Sequence, residues 1–150
     1  MISVEEQIIK SFVDTTGNRP EPIDFAAAGP PSAGAHLIFV GLRGGINGGM
    51  AMVVEKDLAL TISAEILTRA AGREFGRDEI DIELCSNTVG EILNIALGEY
   101  FMHRKNESPV DIVSPKYGFV AEDAGILEGL PERLRFRYQG GEFDVYYRFY

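Results

Sequence analysis

The sequence predicts an α+β domain: a mixed, mainly antiparallel β-sheet with long helices packed on it. Three observations carry this. Around Gly140-Gly141, Leu134, Phe136 and Tyr138 and then Phe143, Val145, Tyr147 and Phe149 alternate with polar residues, the period-2 pattern of a β-hairpin. His36–Leu42 and Ile46–Val54, rich in Ile, Val, Phe and Met, flank a glycine turn and read as a second strand pair. From about Asp78 to His103, apolar residues recur at helical spacing.

Taken in order, Ser3 and Glu6 have the spacing of a capping box and open a helix over about 4–15. Its apolar stripe is Ile8, Ile9, Phe12 and Val13, and Gly17 and Pro20 end it. Residues 21–28 read as a strand, followed by a turn region at 29–35. Arg43-Gly44-Gly45 suggests a tight hairpin between the next two strands. Asp57–Ala71 is a helix with Leu58, Ile62, Ile66 and Leu67 inward, broken by Gly72 and Gly76. The long helix then opens on Asp78, Glu79, Asp81 and Glu83 and closes near Arg104 and Lys105, as the helix dipole favours. Pro109–Val113 is a short strand stopped by Pro115. In the last hairpin a two-residue turn sets Tyr138 opposite Phe143 and Arg137 opposite Asp144. The order is α-β-β-β-α-α-β-β-β in one domain over 1–150, with no linker or clear repeat.

A chain of 150 residues with 45% hydrophobic content buries roughly two-thirds of its unfolded surface and needs no metal or disulfide staple. The net charge of −9 argues against a nucleic-acid partner. No apolar run approaches the ~20 residues of a membrane span, so no membrane partner is expected. Met-Ile-Ser-Val-Glu-Glu is not the pattern of a signal peptide, and a cytoplasmic location is the expectation. Cys85, the one cysteine, lies on an apolar helix face and reads as a buried structural thiol.

The candidate functional residues lie on the long helix. In helical projection Ile82, Cys85, Val89, Ile92, Leu93, Ala96 and Tyr100 fall within about 100° of one another and form the packed face. Asn87, Glu91, Asn94 and Gly98 lie opposite. On the residues alone this is most simply a solvated helix face. Against that, Asn is a poor helix-interior residue, and Gly98 costs about 1 kcal/mol relative to Ala. Leu84, Ile95 and Met102 flank the polar row and are too apolar to face water without cause.

Other features read more simply. Gly41, Gly44, Gly45, Gly48 and Gly49 match neither dinucleotide nor P-loop spacing and read as a glycine-rich hairpin. His36 and His103 read as surface residues without metal-binding companions, so no metal site is expected. Arg133, Arg135 and Arg137 share a strand face that reads as solvated or salt-bridged; a patch for an acidic partner is the lesser reading. Small-molecule binding by an unrelated α/β domain has little support, since no convergent polar pocket is visible in the sequence.

The segment Gly90-Glu91-Ile92-Leu93-Asn94, with Asn87 four positions before the Glu and Val110-Asp111-Ile112-Val113-Ser114-Pro115 downstream, resembles the CheC/CheX/FliY chemotaxis phosphatases. Their signature is Asp or Ser, three residues, Glu, two residues, Asn, and a Pro some twenty-two residues on. Here Asn87 stands at the Asp/Ser position and Pro115 follows after twenty residues. Phe39–Gly48 is similar to the family's strand, glycine turn and next strand, and the single motif points to the CheX-like branch.

The resemblance implies a CheC-like fold and removal of the phosphoryl group from the aspartyl phosphate of a CheY-type receiver domain. It implies that Asn94 orients the attacking water and that Glu91 pairs with the receiver's active-site lysine. Asn87, Gly98, Leu84 and Ile95 then belong to the partner-binding surface. It implies no cofactor on this chain, with Mg2+ held by the receiver. A homodimer is also implied, with the aromatic carboxy-terminal strand as a candidate sheet edge. The alternative is a non-catalytic receiver-binding or flagellar-switch-like adaptor of the same fold.

Overall fold

The computed structural model describes residues 2–24, 32–102, 110–113 and 115–150. Helix α1 (Val4–Thr16) opens on the expected capping box: the Glu6 N–H donates to Ser3 Oγ at 3.1 Å, and the Ser3 N–H to Glu6 Oε2 at 3.3 Å. It ends at Gly17, whose φ of 83° is the left-handed region glycine tolerates. Ile8, Ile9 and Phe12 are buried, but Val13 is exposed. The rotation of α1 is fixed instead by buried Gln7 and Ser11, with Gln7 Nε2 donating to Glu99 at 2.7 Å.

Among the described residues seven strands make one sheet: β1 (Glu21–Ile23), β2 (His36–Gly44), β3 (Gly48–Val54), β4 (Val110–Ile112), β5 (Lys116–Phe119), β6 (Glu132–Tyr138) and β7 (Gly141–Phe149). The order is β1-β6-β7-β3-β2-β4, and every pairing is antiparallel. Strand β5 also pairs with β2. The outer edge of β2 is therefore shared end to end, His36–Phe39 with β5 and Leu42–Gly44 with β4.

Helices α2 (Lys56–Ala71) and α3 (Ile82–Met102) join α1 on one face of the sheet. There Phe12 stacks on Phe143 at 4.9 Å between ring centroids, and Phe143 stacks on its cross-strand partner Phe136 at 5.2 Å. This column lies in a core with Ile38, Met52, Ile62 and Leu93. On the opposite face Val120 of α4 (Val120–Glu128) joins Leu37, Ala51, Val53, Leu130 and Tyr146.

The α+β class stands, and several local expectations are corrected. Strand β5 and helix α4 were not anticipated. Four strand residues are too few to show alternation, and α4 is nine residues long with non-helical dihedrals at Asp123, so it has no sustained period. The long helix does not start at Asp78. Arg77–Glu79 is a single 3-10 turn, Ile80 is extended, and α3 begins after Asp81, whose Oδ1 accepts from the Leu84 N–H at 2.8 Å. In the first hairpin β2 runs through Arg43 to Gly44, and the turn falls at residues 45–47. Strand β1 ends at Ile23; residues 25–31, like His103, Arg104 and Lys105, lie outside the described residues.

The closing hairpin differs in register. Its turn is Gln139-Gly140, with φ of 50° and 80°, so Tyr138 pairs with Gly141, Phe136 with Phe143 and Arg135 with Asp144. Two left-handed central residues match the twist of the flanking strands. The shift of two residues preserves every face. Arg135 binds buried Asp144 through two bonds of 2.6 and 3.0 Å, which makes this a salt-bridged face. Strand β7 lies between β6 and β3, so the carboxy-terminal strand is not a sheet edge. Because Asn tolerates the left-handed region better than Gln, Gln139→Asn is expected to raise unfolding stability by about 0.5–1 kcal/mol in urea titration.

Candidate functional site

Helix α3 carries the candidate residues and is gripped on several sides. Glu99 ties it to α1 by accepting from Gln7 and from Lys10 Nζ at 2.9 Å. Ser63 of α2 ties it from another side, its hydroxyl donating to the Cys85 carbonyl at 3.2 Å. Cys85, Val89, Ile92, Leu93 and Ala96 are buried as the period requires, and so are Ser86, Gly90, Leu97 and Phe101. Two of the expected inward residues are not. Ile82 is 42% exposed, because it opens the helix ahead of its packed stretch, and Tyr100 is only half-buried, against Phe101 and Phe149.

What remains open is an arc of about 100° in projection. Asn87 and Glu91 are exposed on it, and Asn94, Ile95 and Gly98 are half-buried. Leu84 and Met102 are exposed toward its two ends. All six predicted site residues thus share one surface of one helix. Neither Asn87 nor Glu91 makes a hydrogen bond or ion pair with a described residue.

Gly90 and Pro115 form a contact that periodicity does not reveal. A Cβ placed on Gly90 would lie 2.8 Å from Pro115 Cβ and 3.0 Å from its Cγ, so only glycine lets the β4–β5 connection come this close. That connection is pinned to the sheet where the Val113 N–H donates to the Gly41 carbonyl at 2.9 Å. Two turns along α3 from Gly90, Gly98 faces Ile112 at an ordinary 3.8 Å from its would-be Cβ. Asn94 lies one turn from each glycine, along the same seam. Its Oδ1 is buried and has no hydrogen-bond partner among the described residues. Leaving such an acceptor unpaired costs roughly 1–3 kcal/mol. The sequence signals for this seam were the mid-helix glycines and the proline, which are far apart in the chain.

Other candidates resolve differently. His36, expected at the surface, is only 4% exposed and meets Phe119 edge-on at 5.1 Å. It is the first residue of β2, between β3 and β5, which covers it from both sides. Burial pushes the Cys85 thiol above its usual range, with the Ser63 hydrogen bond opposing, so it is not an activated nucleophile. Among the described residues no cluster of three His, Cys, Asp or Glu side chains has metal-binding geometry.

No protein-family model and no curated protein matches this chain. Solved structures do. The chain is similar to CheX in the CheX-CheY-BeF3-Mg2+ complex from Borrelia burgdorferi, with 21% identity, 99% of each chain covered and a TM-score of 0.69. It is similar to the chemotaxis protein CheX from Vibrio vulnificus at 17% identity, covering 98% of this chain and 93% of that one, with a TM-score of 0.64. CheX from Desulfovibrio desulfuricans gives 17% identity, 98% and 96% coverage and a TM-score of 0.62. The fold is that of the CheX and CheC-like proteins.

The two glycines of the seam separate experimentally. Gly98→Ala has room for its methyl and is expected to stabilise α3 by up to about 1 kcal/mol. Gly90→Ala forces Pro115 to move and is expected to lose about 1–3 kcal/mol, partly offset by the same helix gain. Urea denaturation of the two variants measures the difference in sign.

Proposed function

We propose that this chain is a CheX-like member of the CheC/CheX/FliY group and hydrolyses the aspartyl phosphate of a CheY-type receiver domain, docking it on the open arc of α3. The observation that carries the reading is one face of α3 that presents the exposed Glu91 carboxylate beside Asn94, whose carboxamide oxygen has no hydrogen-bond partner among the described residues and so is free to turn out of its seam toward the receiver. The similarity over 99% of both chains to a CheX solved with CheY, BeF3 and Mg2+ supports the choice of partner.

The chemistry suits these residues. Phosphoryl transfer depends on positioning an in-line water and stabilising charge more than on a strong base. A carboxamide can do the positioning, because its oxygen accepts from the water while its NH2 group donates. The water oxygen bonds to phosphorus, the bond to the aspartyl oxygen breaks, and inorganic phosphate leaves with the receiver's aspartate restored. The receiver supplies its own Mg2+ and leaving carboxylate, so this chain brings only the positioning group. Glu91, three residues before Asn94, shares its face and pairs with the receiver's lysine. Asn87 offers a further polar contact, Gly98 permits close backbone approach, and Leu84, Ile95 and Met102 form the apolar rim.

The deciding experiment follows phosphate loss from a phosphorylated receiver with and without this chain. Asn94→Ala removes the unpaired buried acceptor, so it is expected to leave the fold at least as stable as the parent and to slow dephosphorylation on the order of 100-fold. Near-normal turnover would remove Asn94 from the mechanism. If the wild-type chain binds the receiver but leaves the phosphate lifetime unchanged, the protein is a non-catalytic receiver-binding module. Glu91→Ala is expected to act on engagement, raising the receiver concentration needed for half-maximal rate by about 2–5 kcal/mol equivalent. An effect confined to saturating turnover would refute the pairing role.

We also propose a homodimer, on the strength of the family resemblance. Strand β7 is paired on both sides and does not supply the interface, which leaves the apolar flank of α3 and the outer strands β1, β4 and β5. Light scattering at tens of micromolar is expected to give twice the 16.5 kDa chain mass; a monomer would assign Leu84, Ile95 and Met102 to the receiver alone.

A further inference from the structure

A cavity of about 460 Å3 opens at the amino-terminal end of α3, among the start of β2, the first turns of α2 and α3, and Phe119. It lies within the range of small-molecule sites, about 300–1,000 Å3. Asp81, on its wall, is thirteen positions before Asn94, or about 20 Å along a helix axis, so the cavity is separate from the docking arc.

Three features of the wall point to one kind of occupant. His36 lines the cavity and is 4% exposed, and its imidazole makes no hydrogen bond with any described residue. Buried polar side chains are normally paired, so this ring has unused hydrogen-bonding capacity facing the space. Burial, and then the charge of Lys56, pushes its pKa below the usual range, with Glu55 partly opposing, so at pH 7 it is neutral and offers one N–H donor.

The charge balance of the wall is the second feature. Lys56 and Arg77 both line the cavity, against the single carboxylate of Asp81. Asp81 is already engaged in capping α3. Lys56 forms no ion pair with a described residue, and Arg77 is steadied by the Asp57 carbonyl and by Thr61 Oγ1 at 3.2 Å. The carboxylate of Asp57 reaches Arg77 only at 3.9 Å and is not part of the wall. On a chain of net charge −9 the wall itself carries two cations against one carboxylate, with Glu55 and Asp57 just outside it. The third feature is the helices themselves. The first residue of each, Lys56 of α2 and Ile82 of α3, is on the wall, so both positive helix ends lie at the cavity, and no side chain caps α2.

We propose that this cavity binds a small organic carboxylate, with its apolar body against Leu60, Ile82 and Phe119 and its charged group among His36, Lys56 and Arg77. A single negative charge matches the wall; a dianionic phosphate ester leaves one charge uncompensated beside Asp81. The inference is independent of the phosphatase reading.

The test uses the full chain, labelled with 15N, titrated with sodium benzoate and in parallel with neutral benzamide. Benzoate is expected to shift the amide resonances of Gly34, Ile82 and Cys85 saturably at millimolar concentration, and benzamide to bind at least tenfold more weakly. Lys56→Gln, at an exposed position, is expected to weaken benzoate at least threefold while leaving benzamide unchanged. His36→Phe, if it folds, is expected to weaken benzoate as well. Absence of saturable shifts at these three amides overturns the proposal. So does equal affinity for the two probes, or a Lys56→Gln variant that binds benzoate as tightly as the parent.

Discussion

Helix α3 has to serve as core and as surface at once, and the close contact of Gly90 with Pro115 is where the two demands meet. On one side of the contact the helix fills the space between α1, α2 and the sheet with Val89, Leu93 and Ala96. On the other side the β4–β5 connection lies close against the helix backbone, because no Cβ intervenes. Asn94, one turn further, inherits its surroundings from that contact. A larger residue at position 90 would lift the connection away and open the seam along which Asn94 lies. The outer edge of β2 bears the same mark: it is divided between β4 and β5, which run in one direction along it on either side of the proline.

A helix held this firmly suits the insertion mechanism we propose. A positioning group gains from a rigid support, since a misplacement of about 1 Å can cost 100-fold in rate. Here the support is the protein core, so the polar row needs no bracing of its own from other described side chains. The low helix propensity of Asn87, Asn94, Gly90 and Gly98 is tolerated because packing, and not intrinsic preference, keeps α3 helical.

Local rules made much of this legible in the sequence. The capping box of α1, the alternation of the last hairpin and the helical period around Cys85 each depend on neighbours within a few residues, and each appears in the structure. The misreadings share a cause, which is long-range packing. Val13 and Ile82 are apolar and in phase, yet exposed, because the rotation of α1 follows its contact with Glu99 and the start of α3 overhangs its packed stretch. His36 is polar and begins a strand, yet is buried, because β5 covers it and β5 is too short to announce itself. The site row was readable as a row. That Asn94 lies in a seam and Glu91 in the open was not, since the seam is made by Pro115 and Ile112 from a distant part of the chain.

The single cysteine has a use that its chemical quietness creates. Cys85 lies on the inner face of α3 against Ser63 of α2, and it is the chain's only thiol. Cys85 is buried on the wall of the cavity at the start of α3, so a thiol reagent in solution reaches it when the packing of α2 against α3 loosens there. With reclosing fast relative to modification, the labelling rate reads the opening equilibrium of the α2–α3 interface, which lies between local fraying and global unfolding on the free-energy scale. The protein therefore carries its own clock for how often the helix bearing Glu91 and Asn94 loosens from its scaffold, and anything that braces α3, at either end, would slow it.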